Sequence, residues 1–268
     1  MRNEIAEENM MLVNEIKQKI KTAMADFWWC PDSFTVVERP ELSYARDPLG
    51  TFNIISKIDD QHQDLESLIQ EFSEFFRCQT STVNTFSDQK SRLFELLKRE
   101  GYHRENTHDI RYQLVSEQHF KKQHSVQTIL VKTKSDLIKL HEAQAIAFNK
   151  SIPLPSDDEL EHMLQEYQQE KPRAIRVIAV ENQDSDALGS GGMSLFDDLG
   201  VATFFGGGTI PSARKRGVYS ALIDARIKYA QERGITIIGI YARHGTSAPI
   251  VEKQGFLKCG EMHTWVRK

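Results

Sequence analysis

The chain lacks the features that would tie it to a membrane, a disulfide framework or a polyanion. Its three cysteines, Cys30, Cys78 and Cys259, are odd in number and far apart, so neither a disulfide framework nor a zinc knuckle is implied. No apolar run approaches the ~20 residues that span a bilayer. The formal charge of −4 gives no general attraction to nucleic acid or an anionic membrane. Met1 to Phe27 carries charges throughout, and Leu12, Ile16, Ile20, Met24 and Phe27 recur at helical spacing, which predicts an amphipathic helix and not a secretory signal. The expectation is a reduced, cytoplasmic protein. Its 268 residues, 40% hydrophobic and 27% charged, suffice for one large domain or two ordinary ones.

The most informative stretch is Gly206-Gly207-Gly208-Thr209-Ile210-Pro211-Ser212-Ala213-Arg214-Lys215-Arg216-Gly217-Val218-Tyr219-Ser220. The apolar run Val201–Phe205 enters a glycine-containing basic turn that opens into a long amphipathic helix. A strand, a turn of free N–H groups and a helix N-terminus form an anion site. Three consecutive cations there oppose the helix macrodipole, so stability alone does not account for them. A local basic cluster in an acidic chain suits a small, multiply charged anion better than a polymer. The pyrophosphate of a nucleotide-bearing cofactor fits best, and this points to an enzyme.

Around that motif the chain alternates strands and helices. Strands are expected at Phe34–Glu38, Thr51–Ile58, Ser81–Phe86 and His108–Val115, with helices at Asp64–Phe76 and Gln89–Glu100. Residues Glu117–His124 look like a linker. There follow a strand at Val126–Lys132, a helix at Ser135–Asn149 with Ser135 as N-cap, and a helix at Ser156–Glu170 with Ser156 and Glu159 at capping-box spacing. Ala174–Glu181 is a strand, Asn182–Gly192 a turn, and Gly192–Phe196 its hairpin partner. After the motif, a helix over Arg216–Arg233 should bury Val218, Leu222, Ala225 and Tyr229, with Asp224 and Lys228 in water. Thr236–Ala242, Ser247–Lys253 and Leu257–Val266 close the chain as strand, helix and strand. The fold class is α/β, a mixed α+β sheet.

A faint repeat is visible. Leu96-Leu97-Lys98-Arg99-Glu100-Gly101-Tyr102 matches Ile250-Val251-Glu252-Lys253-Gln254-Gly255-Phe256, each closing a helix at glycine and entering a strand through an aromatic. The first copy has the acidic Asp59-Asp60-Gln61-His62-Gln63-Asp64 where the second has Arg214-Lys215-Arg216-Gly217. Two halves are therefore expected, 1–120 degenerate and 121–268 able to hold cofactor.

The element order of the second half resembles the GNAT-type N-acetyltransferase fold. Arg214-Lys215-Arg216-Gly217-Val218-Tyr219 is similar to that family's R/Q-x-x-G-x-G/A acetyl-CoA signature, and Ser247–Phe256 to its closing helix with a Gly-Phe ending. The resemblance covers about residues 125 to 268. It implies tandem GNAT-like halves and acetyl-CoA as acyl donor, with no metal. The backbone of Arg214, Lys215, Arg216, Gly217, Val218, Tyr219 and Ser220 would wrap the pyrophosphate, and Gly208, Thr209 and Ile210 would pair with the pantetheine arm. Pro211, without an N–H, should end that pairing. The acceptor would be a small-molecule or peptide amine, with a homodimer left open and neither nucleic acid nor membrane as partner.

Two departures from the family pattern matter. Tyr219 stands where Gly or Ala is usual, so either its ring enters the slot or the helix start shifts. Val251 stands where many members have a tyrosine that protonates the leaving thiolate, and Thr203, Phe204 and Phe205 replace the usual strand carboxylate. His244 and Tyr241, at the end of the neighbouring strand, are the catalytic substitutes, ahead of Cys259 and His263. Val251 and the missing carboxylate also fit a non-catalytic acyl-CoA sensor or a protein-interaction module. His103 with His108 and His119 with His124 are five apart, which does not align them as helical metal ligands. Phe27-Trp28-Trp29 reads as packing, and Gly189-Ser190-Gly191-Gly192 as a turn.

Overall fold

A computed structural model describes the chain except residues 1, 78, 88–90, 116–123 and 152, with residues 2–9 as backbone only. In chain order the elements are α1 (Arg2–Ala25), β1 (Thr35–Glu38), β2 (Leu42–Arg46), β3 (Asn53–Ile58), α2 (Leu65–Phe75), β4 (Ser81–Thr85), α3 (Arg92–Arg99) and β5 (His103–Leu114). They continue with β6 (Gln127–Leu130), α4 (Lys134–Phe148), α5 (Asp157–Tyr167), β7 (Ala174–Val180), β8 (Gly189–Phe196) and β9 (Val201–Thr209). The chain closes with α6 (Val218–Glu232), β10 (Ile237–Arg243), α7 (Ala248–Lys253) and β11 (Leu257–Arg267). Two compact units form: Met1–Arg111 with Tyr241–Lys268, and Tyr112–Ile240.

The first unit carries strands in the order β1-β2-β3-β4-β11-β5. Strands β1, β2 and β3 are antiparallel neighbours, β3 runs parallel to β4, and β11 pairs antiparallel with β4 from His263↔Thr85 to Arg267↔Ser81. Helix α2 forms because Leu65, Leu68, Ile69 and Phe72 share one buried face and the Asp64 side chain accepts from Ser67 N–H at its start. That face meets α3, Val83 and Trp265 in one core. The two repeated helix endings are built alike. Tyr102 N–H donates to Leu97 O at 2.9 Å, Phe256 N–H donates to Val251 O at 3.1 Å, and both aromatic rings are buried. Phe27, Trp29, Phe34 and Phe52 make an aromatic cluster in which Trp29 meets the other three rings edge-to-face, the packing role expected for that run.

The second unit orders its strands β10-β9-β8-β7-β6, antiparallel except for the parallel pair β9–β10. Helices α4 and α6 cover opposite faces: a Cβ on Gly207 would meet the Tyr219 ring, and one on Gly208 would meet Ala147 and Phe148. The Ser156–Glu159 capping box forms as the spacing predicts. Helix α4, however, starts one residue earlier than expected, capped by Thr133 in a box with Asp136 and not by Ser135. Gly189–Gly192 is strand and not turn, and β2 is a strand the alternation rule missed because four of its five residues are buried. Most of the expected linker, 117–124, lies outside the described residues, as do Cys78 and His119.

Candidate functional site

β9 fixes the site's framework. Its pairing with β10 runs from Val201↔Ile237 to Phe204↔Ile240, and from Phe205 to Thr209 it continues with β8 alone among the described residues. One backbone edge of that tail is open to an added strand-like partner. Thr209 Oγ1 in the same tail is buried without a hydrogen-bond partner. Ile210 N–H donates to Leu188 O at 3.0 Å, the last ladder bond before Pro211 opens a short 3-10 turn, Pro211–Ala213. Pairing ends at Pro211 as its missing N–H dictates.

The basic turn follows. Lys215 and Gly217 both take positive φ, 64° and 82°, so the backbone reverses twice before α6 begins at Val218. Successive left-handed and right-handed residues turn their N–H groups to one side, next to the start of α6. Arg214, Lys215 and Arg216 are exposed around this concavity; Arg216 reaches Glu181 at 2.6 Å, and Arg214 Nε donates to Thr209 O at 3.4 Å. The donors suit a multiply charged phosphate group. Of the two alternatives for Tyr219, both hold in part: the helix starts two residues later than expected, and the ring lies against β9, its Cε2 3.1 Å from the position of a Gly207 Cβ. Burial raises the Tyr219 phenol above its ordinary pKa, so it stays protonated.

The buried face of α6 includes Val218 and Leu222 as expected but turns away from Ala225 and Tyr229. Val218, Ala221, Leu222, Ile223, Arg226, Ile227 and Ala230 are buried, whereas Ala225 and Tyr229 are partly exposed. Asp224 meets His124 at 2.6 Å instead of standing in water with Lys228. Arg226 is fully enclosed. Its guanidinium lies 4.0 Å from the Phe204 ring centroid, Nε donates to Leu222 O at 2.8 Å, and Nη1 donates to Gly192 O at 3.0 Å. Nη2 has no partner, and burial draws the pKa down to about 10. The β8–β9 register shifts between Ser190 and Gly192, beside this guanidinium.

In the first unit, the residues expected to do chemistry are placed as follows. Val251 is fully buried, so the closing helix offers no acid there. Tyr241 packs on Phe86 with ring centroids 5.8 Å apart. Its hydroxyl is buried without a partner, and burial, with Cys259 adding, lifts its pKa well above the ordinary value. His263 is buried against Phe94, with Nδ1 3.1 Å from Thr107 Oγ1, and burial lowers its pKa from the ordinary value, while burial pushes the Cys259 thiol up to about 11 and keeps it protonated near neutrality. His244 is half-exposed, and its Nε2 lies 2.6 Å from Asp109 Oδ1.

Asp109, on β5, closes the polar run His103–Asp109 and belongs to a charged group that sequence reasoning did not assemble. Lys258 Nζ lies 2.8 Å from Asp109 Oδ1 and 2.6 Å from Glu261 Oε1. Arg111 Nε donates to Asp109 Oδ2 at 3.0 Å, and Arg111 Nη2 lies 3.1 Å from Glu252. Burial pushes Asp109 up, but the hydrogen bonds from Lys258, His244 and Arg111 outweigh it and hold the carboxyl below its ordinary range. Asp109, His244 and Glu261 are the one cluster of metal-ligand atoms found among the described residues, and the Lys258 ammonium already bridges both its carboxylates.

No protein-family model matches the chain, and no curated protein matches it in sequence. Solved structures do match. A GCN5-related N-acetyltransferase from Kribbella flavida superposes with a TM-score of 0.61 at 13% identity, over 96% of this chain and 95% of that one. One from Sphaerobacter thermophilus gives 0.64 at 15% identity, over 85% and 80%. A tandem GNAT protein from the clavulanic acid biosynthesis pathway gives 0.61 at 12% identity, over 88% and 84%. The fold is therefore that of the GNAT N-acetyltransferases, a mixed α/β architecture with a tandem protein among its matches.

Proposed function

We propose that this protein is an N-acetyltransferase that moves an acetyl group from acetyl-CoA to an amine by direct transfer in a ternary complex. The observation that carries the reading is the turn Arg214–Gly217, with its two positive-φ residues and three cations at the start of α6. The fold supports the same reading. Arg214, Lys215 and Arg216 would bind the pyrophosphate, with the N–H groups of Gly217, Val218, Tyr219 and Ser220 turned to it. Gly208, Thr209 and Ile210 would pair with the pantetheine arm along the open edge of β9.

In the step itself the amine nitrogen attacks the thioester carbon, the C–S bond breaks, and coenzyme A leaves as thiolate. Positioning supplies most of the rate. The amine proton would leave through water or His244, and Tyr241, kept neutral by burial, is the candidate acid in place of Val251. The halves 1–120 and 121–268 are read as a tandem in which only the second binds cofactor.

Calorimetry tests this. Acetyl-CoA and CoA should bind in the micromolar range and ATP should not, with affinity falling as salt rises. Arg216→Glu should weaken both by tenfold or more; unchanged affinity sinks the cofactor assignment. The second reading, a non-catalytic acyl-CoA sensor, is favoured by the buried Val251 and by the absence of a carboxylate at Thr203–Phe205. Release of CoA with any amine of a panel would count against it.

A further inference from the structure

The second unit by itself holds a cation that the cofactor reading leaves unused. Arg176, on β7, is half-buried, and its guanidinium carbon lies 4.3 Å from the Phe205 ring centroid. Nε donates to the Tyr167 hydroxyl at 3.3 Å. Nη1 and Nη2 make no hydrogen bond to a described residue, and no described carboxylate lies within ion-pair distance of them. A guanidinium offers five donors in a fixed plane. Stacked on a ring with one neutral partner, this one has its charge and most of its fork still to satisfy.

The fork stands at a bend. β9 pairs with β10 as far as Phe204↔Ile240. From Gly192↔Phe205 to Ser190↔Gly208, β8 then advances two residues while β9 advances three. Gly206, at φ 58°, lies in that bulge. A Cβ on Gly206 would sit 3.1 Å from Arg176 Nη1 and 3.3 Å from Gln144 Nε2. Strand β7 and helix α4 thus bring a guanidinium and an amide to the place where β9 parts from β10. His141, three residues before Gln144, has both ring nitrogens buried without a partner. Burial, with the Arg176 charge adding, lowers its pKa, so the ring is neutral at pH 7. These side chains carry one positive charge among neutral polar groups, which complements a single carboxylate better than a phosphate dianion.

We propose that Arg176 selects the acceptor: the substrate is an amine that also carries a carboxylate, which Arg176 holds through Nη1 and Nη2. The inference rests on the acetyltransferase reading given above and names its substrate class. In that reading the pyrophosphate lies at Arg214–Gly217 and the pantetheine arm along Ile210 to Gly208, so the acyl end is directed toward Gly206. A carboxylate on Arg176 brings the acceptor to that end of the cofactor. A free amino acid and the C-terminus of a peptide both offer this chemistry.

Turnover of the full chain with acetyl-CoA and matched amines tests the assignment and separates the two sources. Amino acids are compared with their amides, and peptides ending in a free carboxylate with amidated ones. In one of the two sets the acids should exceed the amides at least tenfold in kcat/KM, chiefly through KM. In Arg176→Met that ratio should fall to about one. Arg176→Lys should keep part of it, since the charge remains and the fork does not. A readout apart from activity is the Arg176 Nε–H signal in ¹⁵N spectra, assigned by its loss in Arg176→Lys. With CoA present it should shift on adding N-acetylglycine and not on adding N-acetylglycinamide.

Equal wild-type rates for acids and amides overturn the proposal, and that comparison needs no variant to fold. So does Arg176→Met lowering acids and amides by the same factor, the result a packing role produces, or an Nε–H signal indifferent to both probes. Phosphoethanolamine preferred over every carboxylate overturns it as well. Succinyl-CoA preferred over acetyl-CoA, with acids and amides alike, places the carboxylate on the donor and also overturns it. Absence of acetyl-CoA binding in calorimetry sinks the acetyltransferase reading and this role with it, whereas binding and turnover without acid preference sink the role alone.

Discussion

Among the described residues Arg226 is the largest fully buried side chain, and no carboxylate lies within ion-pair distance of it. Drawing its pKa down to about 10 corresponds to a cost on the order of 3 kcal/mol at neutral pH, partly offset by two carbonyl bonds and the Phe204 face. Its position explains Gly191. A Cβ there would sit 2.8 Å from the guanidinium carbon, which two hydrogen bonds and a ring hold in place. Gly191→Ala should thus destabilise the protein by about 1–3 kcal/mol, and Arg226→Met should restore most of that loss. Thermal unfolding of the two single variants and the double variant measures the coupling; additive losses would show that the two positions do not interact. Arg226→Met alone should be at least as stable as wild type.

At the scale of elements, the start of α6 makes a conformational prediction. Gly217 lies at φ 82°, and nothing stands within 4 Å of where its Cβ would be. Gly217→Ala therefore meets no clash and is penalised by backbone conformation alone, roughly 1–2 kcal/mol. Gly217→Asn should recover part of that loss in unfolding experiments, since Asn tolerates the left-handed region. Equal losses for Ala and Asn would point to something other than φ. Most elements were legible because their signals are local: the stripe of α2, the Ser156 box, the repeated Gly-aromatic endings. The failures are non-local. The glycines of β8 read as a turn because the reason for them, Val218, Leu222, Arg226 and Phe205 pressed against the strand, lies elsewhere in the chain. The buried stripe of α6 was misplaced because an arginine was counted as polar. Of the candidate site, the basic turn before α6 was read from sequence and the carboxylate against His244 was not. Nothing local in His103–Asp109 marks the one carboxylate that will be buried.

The molecule as a whole should be sensitive to acid through the same charged group. Asp109 is held below its ordinary range in the folded chain, so the unfolded chain binds the proton first as pH falls. The stability this contributes is present above about pH 4 and is lost as pH drops through the folded value. Urea unfolding between pH 3 and 6 should accordingly show a shallower pH slope for Asp109→Asn than for wild type; identical slopes would mean that other carboxyls dominate.

β11 completes the first unit's sheet by pairing with β4, and Trp265 Nε1 donates to Thr85 Oγ1 across 180 residues of sequence. A ribosome adds about 5–20 residues per second, so β4 emerges roughly 10–40 s before its neighbour exists. Throughout that interval the nascent first half carries an open strand edge beside an incomplete core. A strand made some 180 residues later closes that edge, so a stall or a frameshift between the two would release a chain with the edge still exposed, a substrate for chaperone capture or for edge-to-edge aggregation.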